Sequence, residues 1–227
     1  MTHQQQGDTM SSSEPEFNDA REYSSLEEVM NTLLTAKGKS FRELDQTGRA
    51  LTGGNKGSLG QIIEESVLKY AINSDAAPDI HIGDTSYELK VTPLKHIKKG
   101  KQTSAKERLV IDIINYLTLA DETDFESSKM WDKAKNIILV YYYDDRTDKK
   151  KELRIDCKVL ASYLMKYEAD DLATIKNDWH VIRDKVASGH ADSLSESDTN
   201  YLAACTKGAN SKQLREAPAP AGANTAT

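Results

Sequence analysis

The pattern of apolar and polar positions predicts helices near the start of the chain. Ser25 followed by Glu28 forms a capping box before apolar residues at helical spacing, so a helix is predicted over about 25–37, ending at Gly38. A short helix is expected over 41–48. Another is predicted over about 58–72, with an apolar face made of Leu59, Ile62, Ile63, Val67, Tyr70 and Ala71.

A β-hairpin is predicted after this helix. Gly83 and Asp84 separate two short β-prone runs, and Gly83 can supply the positive φ of a type II′ turn. With these two residues as the loop, the register pairs Ile82 with Thr85 and Ile80 with Tyr87. The returning strand is expected to end at Pro93, because proline lacks the N–H donor of a ladder.

The second half of the chain predicts one buried strand among helices. The continuous β-prone run 136–143 is typical of a central buried strand. A hairpin through 144–150 to an edge strand at 153–155 follows, and 201–206 is predicted as a short strand. Helices are predicted over 157–167 and 171–187, with Trp179 in the core. A long helix is predicted over about 104–120, with a core stripe of Leu109, Ile113, Ile114 and Leu117.

The hairpin brings together side chains suited to phosphodiester hydrolysis. The register places Asp79 opposite Glu88, with Cβ atoms about 4.5–5.5 Å apart, and Lys90 on the same face. Two adjacent carboxylates repel and favour a cation between them, and with Glu64 on the preceding helix they suit Mg²⁺ or Mn²⁺. Lys90 would orient or deprotonate the attacking water and offset charge on phosphorus. The alternative is a solvated hairpin with an incidental Glu–Lys pair, and for Glu64 a partly buried ion pair.

The distribution of charge favours a polyanionic partner although the net charge is −6. Between 90 and 108 there are seven basic residues and one acid, Glu107, and this local excess lies beside the carboxylates. The basic residues are Lys90, Lys95, Lys98, Lys99, Lys101, Lys106 and Arg108. The placement of Lys106 and Arg108 at the start of the predicted helix also hints at phosphate contact. The alternative is a solvated lysine-rich loop.

Length and composition predict one domain with tails. The chain has 227 residues, of which 38% are hydrophobic, enough for one core over 21–215. Residues 1–20 and 216–227 read as disordered tails. Two cysteines make no disulfide framework or metal-ligand spacing, and the longest apolar run, 137–143, is too short to span a bilayer. A cytoplasmic protein without membrane contact is expected.

Several segments together resemble the MutH-like family of DNA endonucleases, and especially the GATC-cleaving type II restriction enzymes related to MutH. They span 45–215 and include Lys-Gly-Ser-Leu-Gly-Gln-Ile-Ile-Glu at 56–64, Pro-Asp-Ile at 78–80 and Tyr-Glu-Leu-Lys-Val-Thr-Pro at 87–93. Further similar segments are 104–111, 113–116, 131, 137–142 and 201–210. The resemblance implies a restriction-endonuclease-like α/β core, a mixed sheet flanked by helices, with a PD-(D/E)xK site.

The resemblance also implies the reaction and its partners. It implies a Mg²⁺-dependent endonuclease, with Mn²⁺ as a substitute, that cuts double-stranded DNA at GATC and leaves 5′-phosphate. Asp79, Glu88 and Glu64 would hold metal, with Lys90 completing the catalytic set. By the same resemblance, Lys56 is a phosphate contact, Lys207 lies in the base-reading region, and Arg215 is a further DNA contact. A homodimer on palindromic DNA is one expected assembly.

The chain departs from the resembled enzymes after Arg215. Those enzymes continue with an aromatic and basic segment, and the larger ones carry a second lobe. We therefore expect either a piece of a longer protein, associated with its C-terminal lobe, or a short form that needs a partner. Two other hypotheses stay open: a non-catalytic DNA-binding or regulatory module, and an α/β domain whose charges are all surface charges.

Overall fold

The computed structural model describes residues 23–48, 57–70, 79–97, 100, 102–148, 152–205 and 216–219. Its centre is a five-stranded sheet made of β1 (Ile80–Ile82), β2 (Thr85–Ile97), β3 (Gln102–Ala105), β4 (Ile137–Tyr143) and β5 (Val159–Leu164). The strand order is β1-β2-β4-β5, with β3 also paired to β2. β2 and β4 run parallel, and the other pairs are antiparallel. The expected mixed α/β architecture is confirmed.

Helices flank this sheet. They are α1 (Leu26–Leu34), α2 (Phe41–Leu44), α3 (Ser58–Ile62), α4 (Tyr116–Asp121), α5 (Lys129–Ala134) and α6 (Ala169–Ala187). Single 3₁₀ turns occupy Arg154–Asp156, Ala191–Ser193 and Glu196–Asp198. None of the helices within the described ranges is long and apolar enough to cross a membrane.

The two faces of β4 are covered by different elements. Ile138, Val140 and Tyr142 face a cluster that contains the apolar residues of α1, α2 and α3. Ile137 and Leu139 face the opposite way and pack against α5 and the segment 109–111. β4 is therefore buried on both faces, as its continuous apolar sequence predicted. The predicted helix 171–187 is also confirmed as α6, and Trp179 is buried in a separate cluster with Phe125.

The prediction that β2 ends at Pro93 is wrong. The strand continues to Ile97, and Pro93 lies opposite Tyr142 in the parallel ladder. The Pro93 carbonyl accepts the Lys106 N–H at 2.9 Å, on the side of β2 away from β4. The missing proline donor therefore points to that side, just beyond the end of β3, and the ladder with β4 loses no bond.

The predicted long helix over 104–120 is also wrong. Gln102–Ala105 form β3, 108–115 have no regular secondary structure, and only Tyr116–Asp121 are helical. Two residues of the predicted core stripe are exposed, Ile113 at 60% and Leu117 at 45%. Leu109 and Ile111 instead pack on β4. Their two-residue spacing suits an extended segment covering a sheet, and this tertiary contact overrides the helical pattern.

The order of elements after β4 was predicted incorrectly. The expected edge strand at 153–155 is a 3₁₀ turn, and the expected helix at 157–167 contains the edge strand β5. Val159–Leu164 pair antiparallel with β4. A helix at this position would leave the backbone groups along that edge of β4 without these partners. The predicted strand at 201–206 is absent from 201–205, the part of it that the structure describes.

The helices before the hairpin differ in detail from their predictions. Ser25 caps α1 by accepting the Glu28 N–H at 3.2 Å, whereas the Glu28 carboxylate accepts from Ser24, so the capping box is half formed. The helix predicted over 58–72 is α-helical to Ile62 and continues as a π-helical turn over Ile63–Val67. Residues 71–72 and the predicted tails, apart from 216–219, lie outside the described residues.

Candidate active site

Glu88 and Lys90 form an ion pair on the central parallel strand. Lys90 Nζ lies 2.5 Å from Glu88 Oε1, and the Glu88 side chain is only 7% exposed. Glu88 lies opposite Ile137 and Lys90 opposite Leu139 in the β2–β4 ladder. Because paired residues of a parallel sheet point to the same face, both charged groups face the side that α5 and 109–111 cover.

The backbone around Glu88 is fixed by Asn136, which immediately precedes β4. The Glu88 N–H donates to the Asn136 carbonyl at 2.9 Å, and the Asn136 side-chain amide donates to the Ser86 carbonyl at 3.1 Å. One residue therefore holds the backbone of β2 at two points next to the ion pair. Asn136 was not among the predicted site residues. In the sequence, only its position immediately before a buried strand could have indicated a role beside the site.

Asp79 lies beside the same strand. The hairpin has the predicted register, Ile80 with Tyr87 and Ile82 with Thr85, and Gly83 has a φ of 54°. The paired residues of the ladder end at Ile80, one pair short of Asp79 and Glu88. The Asp79 carboxylate accepts the Leu89 N–H at 2.7 Å, which fixes it against the backbone between Glu88 and Lys90.

Glu64 lies on a different element and packs differently. It belongs to the π-helical turn, and its neighbours Ile62 and Ile63 lie in the cluster that contains Leu89. Leu89 points to the face of β2 opposite to Glu88 and Lys90, because side chains alternate along a strand. Across the described part of the chain, no three His, Cys, Asp or Glu side chains are grouped as a metal site.

The donor atoms at β2 nevertheless suit a hard divalent cation. Glu88 Oε2 is buried and has no hydrogen-bond partner among the described residues. A buried carboxylate oxygen without a partner is costly, and a cation beside it would relieve that cost. Mg²⁺ is commonly held by one or two carboxylates, with waters and phosphate oxygens completing its shell. Glu88 and Asp79 meet that requirement.

Three of the nine expected DNA contacts lie within the described residues. Lys95 is exposed near the end of β2. Lys106 pairs with Asp144 at 3.0 Å, and Arg108 pairs with Glu196. Neither Lys106 nor Arg108 begins a helix, so the expectation based on a helix N-terminus is wrong for both. The other expected contacts, Lys56, Lys98, Lys99, Lys101, Lys207 and Arg215, lie outside the described residues.

Two buried aspartates were not anticipated. Asp144, at the end of β4, is fully buried among basic side chains, and hydrogen bonds from Arg146 hold the pKa of its carboxyl well below the usual range. Asp178, on α6, accepts the backbone N–H groups of Asn200, Tyr201 and Leu202 at 3.1, 2.6 and 3.0 Å. Each lies in a polar stretch of sequence, and its burial depends on elements distant along the chain.

Comparisons with known proteins show which families the chain is similar to. The sequence profile of the MutH family, described as DNA mismatch repair enzyme MutH, matches residues 68–178, a range that contains Asp79, Glu88 and Lys90 but not Glu64. The chain is 39% identical over 196 residues to the type II restriction enzyme Sau3AI of Staphylococcus aureus, which covers 86% of this chain and 38% of that protein. It is 26% identical over 207 residues to the DNA mismatch repair protein MutH of Shewanella woodyi, covering 89% of this chain and 84% of that protein.

Proposed function

Because the chain belongs to the MutH-like family of DNA endonucleases, we propose that it hydrolyses phosphodiester bonds in double-stranded DNA with the help of a divalent metal ion. The observation that carries this proposal is the buried Glu88–Lys90 pair, with one Glu88 oxygen left without a partner among the described residues. The chain spans 38% of the length of the restriction enzyme it resembles, so the activity of that whole protein is a proposal here.

The side chains of the candidate site have distinct roles in the proposed reaction. Glu88 Oε2 and the Asp79 carboxylate would hold Mg²⁺, with Mn²⁺ as a substitute, and the ion would polarise a phosphate oxygen and acidify a bound water. Lys90 Nζ lies 2.5 Å from Glu88 Oε1. Its remaining N–H donors would bind the attacking water and the charged phosphate oxygens. The water oxygen bonds to phosphorus and loses a proton to the surrounding solvent, the bond between phosphorus and the 3′ oxygen breaks, and that oxygen takes up a proton from solvent. The products are a 5′-phosphate and a 3′-hydroxyl.

Glu64 is proposed as a further acidic group that anchors a metal-bound water. Its backbone carbonyl accepts the Tyr70 N–H at 2.9 Å, and a Cβ at Gly60 would lie 3.8 Å from its Oε1. A side chain at position 60 would therefore be in ordinary van der Waals contact with the carboxylate. The similarity to the GATC-cleaving branch of the family supports GATC as the target.

A second candidate function is that of a DNA-binding module which needs another protein segment for catalysis. Two observations favour it: the chain covers 38% of the similar restriction enzyme, and Glu64, Asp79 and Glu88 do not form a three-ligand group among the described residues. Such a module would bind duplex DNA but release no product with any divalent metal.

Glu88→Gln separates catalysis from binding. The amide has the same shape but is a poor metal ligand, so cleavage should fall by at least about 10²–10³-fold while duplex affinity in EDTA stays within a factor of a few. Glu27→Gln, a matched change at an exposed glutamate on α1, should leave both unchanged. Full cleavage by Glu88→Gln would refute the assignment, and a wild-type protein that binds but never cleaves would support the module.

A further inference from the structure

A charged cleft lies at the carboxyl ends of β2 and β4, apart from the Glu88–Lys90 ion pair. The Asp144 N–H donates to the Leu94 carbonyl at 2.8 Å, which holds the two strand ends together. The cleft has a volume of about 660 Å³. Its lining residues are Lys95, His96, Gly100, Lys106, Asp144, Asp145 and Arg146. Lys95 is five residues beyond Lys90, so the cleft is roughly 16 Å along the strand from the ion pair.

Asp144 organises the cations of this cleft. Its carboxylate lies 3.0 Å from Lys106 Nζ, 2.7 Å from Arg146 Nε and 3.8 Å from Arg154 Nε, and its side chain is fully buried. A buried carboxylate needs charged partners, and one partner of opposite sign balances its charge. Three cations surround this single acid, so the cluster keeps a positive excess. Glu107, 3.3 Å from Arg154, offsets one cation on the side away from the cleft lining.

The cations that line the cleft retain unused donors. Lys106 donates to the carbonyl and the carboxylate of Asp144, which leaves one of its three N–H groups. Arg146 donates to Asp144 through Nε and Nη2 and to the Glu152 carbonyl through Nη1, which leaves two of its five. Lys95 is exposed and forms no ion pair with any residue that the structure describes.

His96 also lines the cleft, and its side chain is held in one orientation. Its backbone N–H donates to Asp145 Oδ1 at 2.8 Å, its Nδ1 pairs with Asp145 Oδ2, and its ring stacks on Tyr143 at 4.2 Å. The second carboxylate of the cleft is therefore occupied by the histidine. Asp144 is already balanced by Lys106 and Arg146. Among the residues that line the cleft, three lysine and arginine side chains outnumber two aspartates, so the lining keeps a positive excess.

We propose that this cleft binds a phosphate group of the DNA backbone, at a site separate from the catalytic pair. Lys95, Lys106 and Arg146 would donate to the phosphate oxygens, as charge-assisted hydrogen bonds to phosphate require. The identity of the phosphate as part of duplex DNA rests on the proposed function, whereas the phosphate chemistry rests on the cleft alone.

The DNA experiment measures binding of a fluorescent GATC duplex in EDTA at several salt concentrations. Lys95→Glu, at an exposed position, should weaken binding at least about tenfold and reduce the magnitude of the log–log salt slope by about 0.9 for each phosphate that the variant no longer neutralises. Arg146→Lys, which keeps the charge but loses the planar fork, should weaken binding less. Lys37→Glu, at an exposed lysine just after α1, is the control. It makes the same change in net charge, so it should show only the loss of affinity that this change causes without a specific phosphate contact. Equal affinity and slope for Lys95→Glu and Lys37→Glu would overturn the proposal.

A second experiment tests the cleft without DNA. Inorganic phosphate is titrated into the wild-type protein while the NMR signals of Arg146 Nε–H and the His96 ring are followed. If the signals shift saturably in the wild type and the shifts are weaker in Lys95→Glu, the phosphate site is supported even if the protein never cleaves DNA. If no such shifts occur, the phosphate site is overturned. Saturable shifts combined with unchanged duplex binding by Lys95→Glu would assign the cleft to free phosphate and overturn its assignment to DNA.

Discussion

At the scale of single residues, three of the four buried carboxylates among the described residues, Glu88, Asp144 and Asp178, differ in their hydrogen-bond partners. Asp178 binds three backbone N–H groups, Asp144 binds several basic side chains, and Glu88 binds one lysine. Of these three, only Glu88 has a buried oxygen without a hydrogen-bond partner among the described residues. The first two are satisfied and act as structural supports, whereas the third is the group that a bound cation would complete.

Asp144 should make stability depend on pH in a defined direction. Its pKa in the folded protein is lowered, chiefly by hydrogen bonds from Arg146. Its contribution to the free energy of unfolding is therefore fully present above the unfolded pKa of about 3.9 and is lost as pH falls below that value. Asp144→Asn should cost about 3 kcal/mol at pH 7, because it leaves the cations around Asp144 without their counter-charge.

Urea unfolding of the wild type and Asp144→Asn between pH 7 and pH 3 measures this effect. The difference in free energy of unfolding should be constant near neutral pH and shrink below about pH 4. Asp156→Asn, at an exposed aspartate paired with Arg42, is the control and should cost less than about 1 kcal/mol. A difference that stays constant to pH 3 would contradict the role assigned to Asp144.

At the scale of elements, one side chain of α6 binds the backbone of the segment 200–202. Asp178 accepts three successive N–H groups from 200–202, which have no regular secondary structure. Asp178→Ala should leave these three N–H donors without their acceptor. The free energy of unfolding should fall by about 1–3 kcal/mol for each donor that stays buried, and the segment 200–202 should become more mobile. Hydrogen exchange should then speed up at 200–202 while β4 stays protected. Asp192→Ala, at an exposed aspartate, should leave exchange unchanged.

The irregular segment 108–115 offers a direct test of its conformation. Ile113 is 60% exposed, so Ile113→Ala should change the free energy of unfolding by less than about 0.5 kcal/mol. Ile138 is fully buried in β4, so Ile138→Ala should lower the free energy of unfolding by about 2–5 kcal/mol. Equal losses at the two positions in denaturant titrations would mean that Ile113 occupies a core, as the helical interpretation of 104–120 required.

These elements also show how far the sequence could predict the fold. The hairpin register followed from Gly83 and Asp84, and the buried strand β4 followed from its unbroken apolar run. Both depend on local signals. The segment 108–115 and the strand β5 depend on partners distant in sequence, namely one face and one edge of β4. A helical apolar pattern cannot reveal that such a partner is present.

The candidate site was predictable to a similar extent. Alternation along β2 placed Glu88 and Lys90 on one face, and their ion pair follows from that spacing. The π-helical turn over Ile63–Val67 has no sequence signal; it accompanies burial of Glu65 and Ser66 beside the half-buried Glu64. The relation of Glu64 to Glu88 could not be derived from the hydrophobic pattern, because an added residue in one helical turn rotates every side chain that follows.

At the scale of the whole molecule, the charged side chains discussed above lie in two separate places on the sheet. The proposed catalytic pair, Glu88 and Lys90, lies where β2 begins its pairing with β4, and the cation cleft lies where both strands end. A net charge of −6 does not prevent DNA binding, because the cations are grouped at the described cleft and acids such as Asp144 are neutralised within it. Binding should therefore weaken steeply with salt.

Catalysis by the Glu88–Lys90 pair is best tested by cleavage of a supercoiled plasmid with mapped GATC sites, in Mg²⁺ and in EDTA, with sequencing of the product ends. We predict nicked or linear DNA with 5′-phosphate ends at GATC in Mg²⁺, no product in EDTA, and little or no product from Glu88→Gln. A folded wild-type protein that gives no product with Mg²⁺ or Mn²⁺, or whose cleavage survives Glu88→Gln at full rate, would contradict the assignment of catalysis to this pair.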